Sequence, residues 1–125
     1  MTENEIAKVI VDTGIKIHSK LGPGLFESLY ERILAYELKK RNLSVECQVE
    51  LPVYWDDFKF DQGYRIDMLV DKQVIVELKS TDLISAVHFK QLQTYLKLTK
   101  LKLGLLMNFN ENLLKDGIKR VVNNL

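Results

Sequence analysis

Two acids and a lysine stand where the chain is otherwise typical of buried β-strand. Asp67 lies within the apolar run 64–70, and Glu77 and Lys79 lie within and directly after the run 74–78. A strand alternates its faces, so Glu77 and Lys79 project to the same side. Charges in such strands are costly unless they are paired or bound to a metal ion. The spacing therefore indicates a functional cluster of two carboxylates and one amine.

This cluster has the donors that a hard cation prefers. Mg²⁺ or Mn²⁺ is bound by oxygen ligands, and one or two acidic side chains are usually sufficient. A lysine beside such a site can orient or activate a water molecule, or offset charge that develops on a phosphorus centre. Together these roles favour phosphodiester hydrolysis. The alternative is a structural ion pair at a sheet edge, because ion-pair networks also place charges near clefts.

The apolar spacing before the strands predicts two helices. The first spans residues 5–20, and residues 22–24 end it, because glycine suits a helix C-terminus and proline can open the next helix. The second is predicted to end near Arg41. Glu27 falls in its first turn, in line with Tyr30, so we expect Glu27 to face inward as a third acid or as a helix-start charge. Tyr30 is expected to bind Glu27 or a phosphate through its hydroxyl, or else to be a core residue.

Turn residues divide the next stretch into strands at residues 44–53, 58–60, 64–70 and 73–79. The pattern predicts a meander, and the short last loop makes its strands antiparallel, which brings Asp67 near Glu77. Arg65 shares the face of Asp67 and is expected to neutralise the acids or to contact a phosphate. Trp55 is expected either to stack on a nucleobase or to cover the edge of the core. Cys47, the only cysteine, is expected to be a small buried hydrophobe.

A helix and a strand follow the two acids. Residues 80–82 offer N-cap side chains, and Gln91 and Tyr95 share one face of the predicted helix. This face can lean over the site, where Gln91 and Tyr95 would orient Lys79, a water molecule or a nucleic-acid backbone. Residues 101–109 are then a buried strand parallel to the Glu77 strand, because a helical crossover connects the two.

Near the C-terminus, residues 111–125 contain a short amphipathic segment. It is predicted to cover a sheet edge or to pair with another subunit, which leaves a homodimer open. His18, without a second histidine or cysteine at ligand spacing, is expected to be a surface or satisfied interior residue.

The chain resembles the PD-(D/E)XK nuclease superfamily, and within it the small group named after its GxxExxY signature. The signature occupies residues 24–30, and residues 91–95 match the QxxxY element of the RecB-like branch. The nuclease pattern maps onto Asp67, Glu77 and Lys79. One such spacing alone is weak, but four elements in family order within a short chain are a strong signal.

The resemblance implies an α/β fold with a restriction-endonuclease-like core, an α-βββ-α-β mixed sheet flanked by helices, here with an extra N-terminal helix. It also implies a Mg-dependent nuclease, which is a phosphodiesterase. Asp67 and Glu77 would hold the metal, with Glu27 as an additional acid and the carbonyl of Leu78 completing the set. Lys79 would position the attacking water.

Length and composition predict one domain, residues 1–125. With 125 residues and 46% hydrophobic content the chain can bury a single core. Its apolar runs are far shorter than a membrane span, and its first residues lack the features of a signal peptide, so we expect a cytoplasmic protein that is not bound to a membrane.

Charge is distributed unevenly along the chain. The net charge is +1, yet residues 79–125 carry 8 Lys/Arg against 3 Asp/Glu. Lys90 belongs to this basic part, which is predicted to attract phosphates, although the alternative is an ordinary solvated lysine surface. We therefore predict metal-dependent hydrolysis of nucleic acid, specifically DNA. The alternatives are a non-catalytic nucleic-acid-binding or regulatory module with a nuclease-like fold, and a protein-interaction domain.

Overall fold

In a computed structural model that describes all residues from Met1 to Leu125, a five-stranded mixed sheet carries helices on both faces. The elements in chain order are α1 (Glu3–Leu21), α2 (Glu27–Lys40), β1 (Val45–Glu50), β2 (Val53–Trp55), β3 (Phe58–Phe60), β4 (Arg65–Val70), β5 (Val74–Lys79), α3 (Ala86–Thr99), β6 (Leu103–Asn108), a 3₁₀ turn (Leu114–Gly117) and β7 (Ile118–Val122). The strand order in the sheet is β1-β4-β5-β6-β7. This architecture agrees with the predicted restriction-endonuclease-like fold and its extra N-terminal helix.

Helices α1 and α2 pack on one face of the sheet and enclose the larger core. Helix α1 starts at a capping box in which Thr2 and Glu5 exchange hydrogen bonds, and it ends at Gly22, whose φ of 69° suits glycine. Helix α3 lies on the opposite face over a smaller core that includes Leu92 and Leu96. None of the helices combines the length and apolar character that a membrane crossing requires.

Tyr30 is a core residue, which corrects its predicted contact with substrate. Its ring is fully buried and stacks on Phe109 with centroids 4.4 Å apart. Its hydroxyl donates to the carbonyl of Gly22 and accepts the Leu25 N–H at 3.3 Å, so its polar tip is used within the α1–α2 linker. His18 is a satisfied interior residue, with Nε2 3.1 Å from the Phe109 carbonyl oxygen.

The strands that carry the acids pair as predicted. β4 and β5 are antiparallel and are joined by a tight turn in which Asp71 and Lys72 adopt φ of 51° and 56°. β5 and β6 are parallel, connected through α3. β7 pairs antiparallel with β6, so the C-terminal segment covers a sheet edge, which is one of the two predicted alternatives.

The predicted meander is wrong in one respect. β1 pairs directly with β4, while β2 and β3 form a separate hairpin that lies outside the main sheet. Pro52, which has no N–H to donate to a ladder, stands between β1 and β2 and separates the two strands. Trp55 is 73% exposed on this hairpin and does not cover the core edge. Cys47 is also exposed, which corrects the expectation that it is a small buried hydrophobe.

Candidate active site

Asp67 and Glu77 lie side by side where the β4–β5 ladder stops. The last regular pair is Met68 with Val76, and beyond it the backbone bonds are replaced by side-chain bonds. The Asp67 N–H donates to Glu77 Oε2 at 2.8 Å, and the Leu78 N–H donates to Asp67 Oδ2 at 3.0 Å. Each acid therefore completes the backbone hydrogen bonding of the opposite strand, which fixes both carboxylates in the gap between the strands.

Gln48 holds Asp67 from the other side. It lies between Cys47 and Val49, which pair with Met68 and Ile66 of β4, and it adopts a left-handed φ of 53°. In a regular strand, residues two apart lie on the same face of the sheet. Here Met68 packs into the larger core and Ile66 into the smaller core on the other face, so the alternation is interrupted at Asp67. The Gln48 amide donates to Glu31 Oε1 at 2.9 Å and to Asp67 Oδ1 at 3.4 Å. A side chain of α2 is thereby tied to the acid pair.

Glu31 is an acid of this site that the sequence analysis missed. Its residue is only 9% exposed, and burial raises the pKa of its carboxyl, with the charges of Asp67 and Glu27 acting in the same direction against the Gln48 hydrogen bond. The sequence did contain one signal for Glu31, because it follows Glu27 by four residues and therefore lies on the same side of the helix. Gln48 gave no comparable signal, because its role depends on backbone geometry.

Glu27 does not face inward as predicted. It is exposed in the first turn of α2, and its Oε2 accepts the N–H of Ser80 at 3.1 Å, directly after β5. No three His, Cys, Asp or Glu side chains in the structure form a group that could hold a metal ion. Glu27 is thus near the acid pair, where its charge raises the pKa of Asp67, and its metal-binding role stays a prediction.

The two central acids resist carrying two negative charges. Burial, and after it the charge of Asp67, raise the pKa of Glu77 to about 8, although the Asp67 N–H and Lys79 act in the opposite direction. Burial likewise raises the pKa of Asp67, although the Leu78 N–H and Lys79 act in the opposite direction. A bound cation would remove this conflict, because positive charge favours the ionised form of both acids.

Lys79 lies at the end of β5, partly exposed and on the same face as Glu77. It makes no salt bridge within 4.0 Å, yet its charge lowers the pKa of both Asp67 and Glu77. The structure therefore brings the predicted amine close to the predicted acids and leaves its ammonium group available to another partner.

Arg65 does not neutralise the acids, which corrects one of its two predicted roles. Its guanidinium lies 3.5 Å from the carboxylate of Glu50 across the β1–β4 pair, and both side chains are exposed. Surface pairs of this kind contribute little stability, so Arg65 can exchange Glu50 for a phosphate at small cost. Contact with substrate stays its predicted role.

Gln91, Tyr95 and Lys90 line one pocket of about 460 Å³ along α3. Tyr95 is buried, and burial together with the charges of Glu77 and Asp67 raises the pKa of its hydroxyl to about 12. It therefore stays protonated near the acid pair, as a hydrogen-bond donor. The helix itself begins later than predicted from residues 80–82, at Ala86, where the Ser85 N–H donates to His88 Nδ1 at 3.2 Å.

The donors at this site fit a hard divalent cation. The two acids supply only oxygen, and neither histidine nor the exposed Cys47 belongs to the group. Oxygen-only sets with one or two carboxylates are typical of Mg²⁺ and Mn²⁺ rather than of zinc or copper. The mixed sheet and its flanking helices have the architecture of the restriction-endonuclease-like class.

A family model described as the PD-(D/E)XK nuclease superfamily matches residues 4–121. The chain belongs to this superfamily, whose members typically use divalent metal ions. No curated protein and no solved structure shows a significant match to the chain.

Proposed function

We propose that this protein is a Mg²⁺-dependent nuclease that hydrolyses phosphodiester bonds of DNA in the cytoplasm. The observation that carries the proposal is the reciprocal bonding of Asp67 and Glu77, which holds two buried carboxylates side by side with an unpaired lysine nearby. Membership of the GxxExxY group and of the RecB-like branch, and a homodimeric state, are predictions that accompany it.

Asp67 and Glu77 would hold the metal ion, with the Leu78 carbonyl as a backbone ligand. Glu31 and Glu27 approach this pair from α2, and their negative charges raise the pKa values of the central acids. Either can add an oxygen ligand directly or through water, as ions such as Mg²⁺ commonly keep part of their water shell. When bound, the cation would supply Lewis acidity and would offset negative charge on the phosphate.

Lys79 would position the attacking water and stabilise charge that develops on the phosphoryl oxygens. Its ammonium is suited to this role because no carboxylate of the protein lies within 4.0 Å of it. The hydroxyl of Tyr95 and the amide of Gln91 line the pocket along α3. They would donate to the substrate backbone, or their oxygens would accept from the Lys79 ammonium. Lys90 and Arg65, both exposed, would contact flanking phosphates.

The decisive experiment compares Lys79→Ala with wild type on a panel of linear, circular, branched and single-stranded DNA and RNA. We expect wild type to cleave with Mg²⁺ or Mn²⁺, and Lys79→Ala to lose at least about a hundredfold in rate, as expected for one electrostatic group at a reacting phosphate. Lys20→Ala, which removes an exposed lysine at the end of α1, is the matched control.

Urea unfolding of the same variants shows whether the loss is chemical. Equal midpoints for wild type and Lys79→Ala are expected, and a large drop would instead identify Lys79 as a structural residue. Titration calorimetry with Mg²⁺ and Mn²⁺ tests the alternative of a non-catalytic module. Metal binding that Asp67→Asn abolishes supports the nuclease, whereas absence of any metal binding favours the alternative.

A further inference from the structure

The pocket along α3 is open, largely apolar and adjacent to the acid pair. It lies between α3 and the β2–β3 hairpin, and its walls include Tyr64, Tyr95 and Val53. Polar groups enter it from Gln91 and Lys90. Its volume of about 460 Å³ is within the range of small-molecule sites and exceeds that of one nucleobase. A flat aromatic ligand with hydrogen-bonding edges matches such a pocket.

The hairpin extends this pocket with a surface of exposed aromatic rings. In the β2–β3 register Val53 pairs with Phe60, and Trp55 pairs with Phe58. Directly opposed residues share a face, and residues two apart share it as well, so the three rings lie on the side of Val53, which lines the pocket. Trp55 and Phe58 are 73% and 71% exposed. We call Trp55, Phe58 and Phe60 the aromatic face.

We propose that the substrate is single-stranded next to the cleaved bond, with one unpaired nucleobase in the α3 pocket and following bases stacked on the aromatic face. The inference rests on the proposed nuclease function and names its substrate class. A base within a duplex is already paired and stacked, so it can enter the pocket only after it leaves the helix. Unpaired bases lack that cost and stack readily on exposed aromatic rings.

Charge determines which part of the strand each surface contacts. The hairpin region carries Asp56, Asp57 and Asp61 against Lys59, so it does not attract a phosphate backbone. Its contribution to binding must come from its rings. Lys90, at the pocket, provides a cation for a phosphate next to the bound base. Binding to the aromatic face should therefore depend weakly on salt, unlike the binding of phosphates.

The test measures how tightly the protein binds a fluorescently labelled oligothymidylate and the duplex of that strand with oligoadenylate. Binding is followed by fluorescence anisotropy in a buffer that contains Ca²⁺. Thr94→Trp fills the pocket from an exposed helix position, and Gln93→Trp adds the same ring on the adjacent exposed position outside the pocket. Trp55→Ala removes one stacking ring, and Tyr36→Ala, on α2, is its control, since Tyr36 is also an exposed aromatic.

We expect the single strand to bind more tightly than the duplex, and Thr94→Trp and Trp55→Ala each to weaken that binding about tenfold, within the range for one stacked base. The two control variants should bind as wild type does. Equal binding of duplex and single strand, or no effect of Thr94→Trp, would overturn the inference. So would sedimentation data in which Trp55→Ala converts a dimer to a monomer while DNA binding stays unchanged.

Failure of the proposed function has a different signature. If the Lys79-dependent cleavage assay shows duplex cleavage as fast as single-strand cleavage, the nuclease stands and the single-strand inference is wrong. If no substrate is cleaved but oligothymidylate binding still depends on the pocket, hydrolysis is refuted while the pocket remains a base-binding site.

Discussion

Replacement of Glu77 by glutamine should make the metal-free protein more stable at alkaline pH. The pKa of Glu77 is 4.5 in an unfolded chain and about 8 in the folded protein, so the folded state binds this proton more tightly. The stabilisation that follows is fully present below pH 4.5 and is lost as the pH rises to about 8. With 1.36 kcal/mol for each pKa unit, the loss amounts to at most about 5 kcal/mol. That is a large share of the stability of an ordinary domain.

Glu77→Gln removes the titration but keeps the shape of the side chain. The amide oxygen of glutamine can accept the Asp67 N–H that Glu77 Oε2 accepts at 2.8 Å. We therefore expect wild type and variant to be similar at pH 5, and the variant to be more stable at pH 8 by several kcal/mol. Urea unfolding with EDTA at both pH values measures the difference. Glu46→Gln, at an exposed position of β1, is the matched control and should leave both curves unchanged.

A divalent cation should reduce this difference in stability. Mg²⁺ at a hundred times its dissociation constant stabilises the folded state by about 2.7 kcal/mol. Wild type should gain this stability at pH 8, because Glu77 can release its proton there and bind the cation as a carboxylate. At pH 5 the proton is held more tightly, so the gain should be smaller. Glu77→Gln should gain little at either pH. Equal metal-free stability of wild type and Glu77→Gln at pH 8 would refute the reasoning, because it would mean that burial does not hold Glu77 protonated.

Three further substitutions probe separate parts of the molecule. Tyr30→Phe removes the hydroxyl that bridges the α1–α2 linker and should cost about 1–2 kcal/mol in urea unfolding, with cleavage per folded molecule unchanged; a loss of activity at full stability would restore its substrate role. Gly104→Ala places a Cβ 2.7 Å from a Leu92 methyl and should cost about 1–3 kcal/mol, whereas a neutral effect would show that Leu92 can move. Glu31→Gln removes a carboxylate that lies near the acid pair and can supply an oxygen ligand, so calorimetry should show weaker metal binding, and unchanged binding would exclude Glu31 from the ligands.

The strands and their order around the acids could be predicted from the sequence because local signals specify them. A short turn between two apolar runs forces the antiparallel pair, and a helix between two buried strands forces the parallel one. The short turn between β4 and β5 is sufficient to bring Asp67 beside Glu77. Helix periodicity similarly predicted α2, whose residues Leu34 and Leu38 are fully buried.

Details that depend on tertiary geometry were not predictable in the same way. Glu27 lies on the apolar line of α2, yet its side chain is exposed and accepts the N–H of Ser80 after β5. Tyr30 looked like a polar neighbour of Glu27, but the linker supplies both partners of its hydroxyl. Gln48 takes a left-handed φ that its residue type does not favour, and its side chain donates to both Glu31 and Asp67.

The exchange of hydrogen bonds between strands and acids also bears on how such a protein can change during evolution. The amide hydrogens of residues 67 and 78 have side-chain oxygens as partners, so a descendant that abandoned catalysis would still need an acceptor at both places. Asparagine and glutamine supply one without charge, whereas alanine leaves an orphaned donor in the sheet. We therefore expect inactive descendants of this chain to carry asparagine or glutamine in place of the two acids. A side chain of the same shape at these positions does not by itself show that activity is preserved.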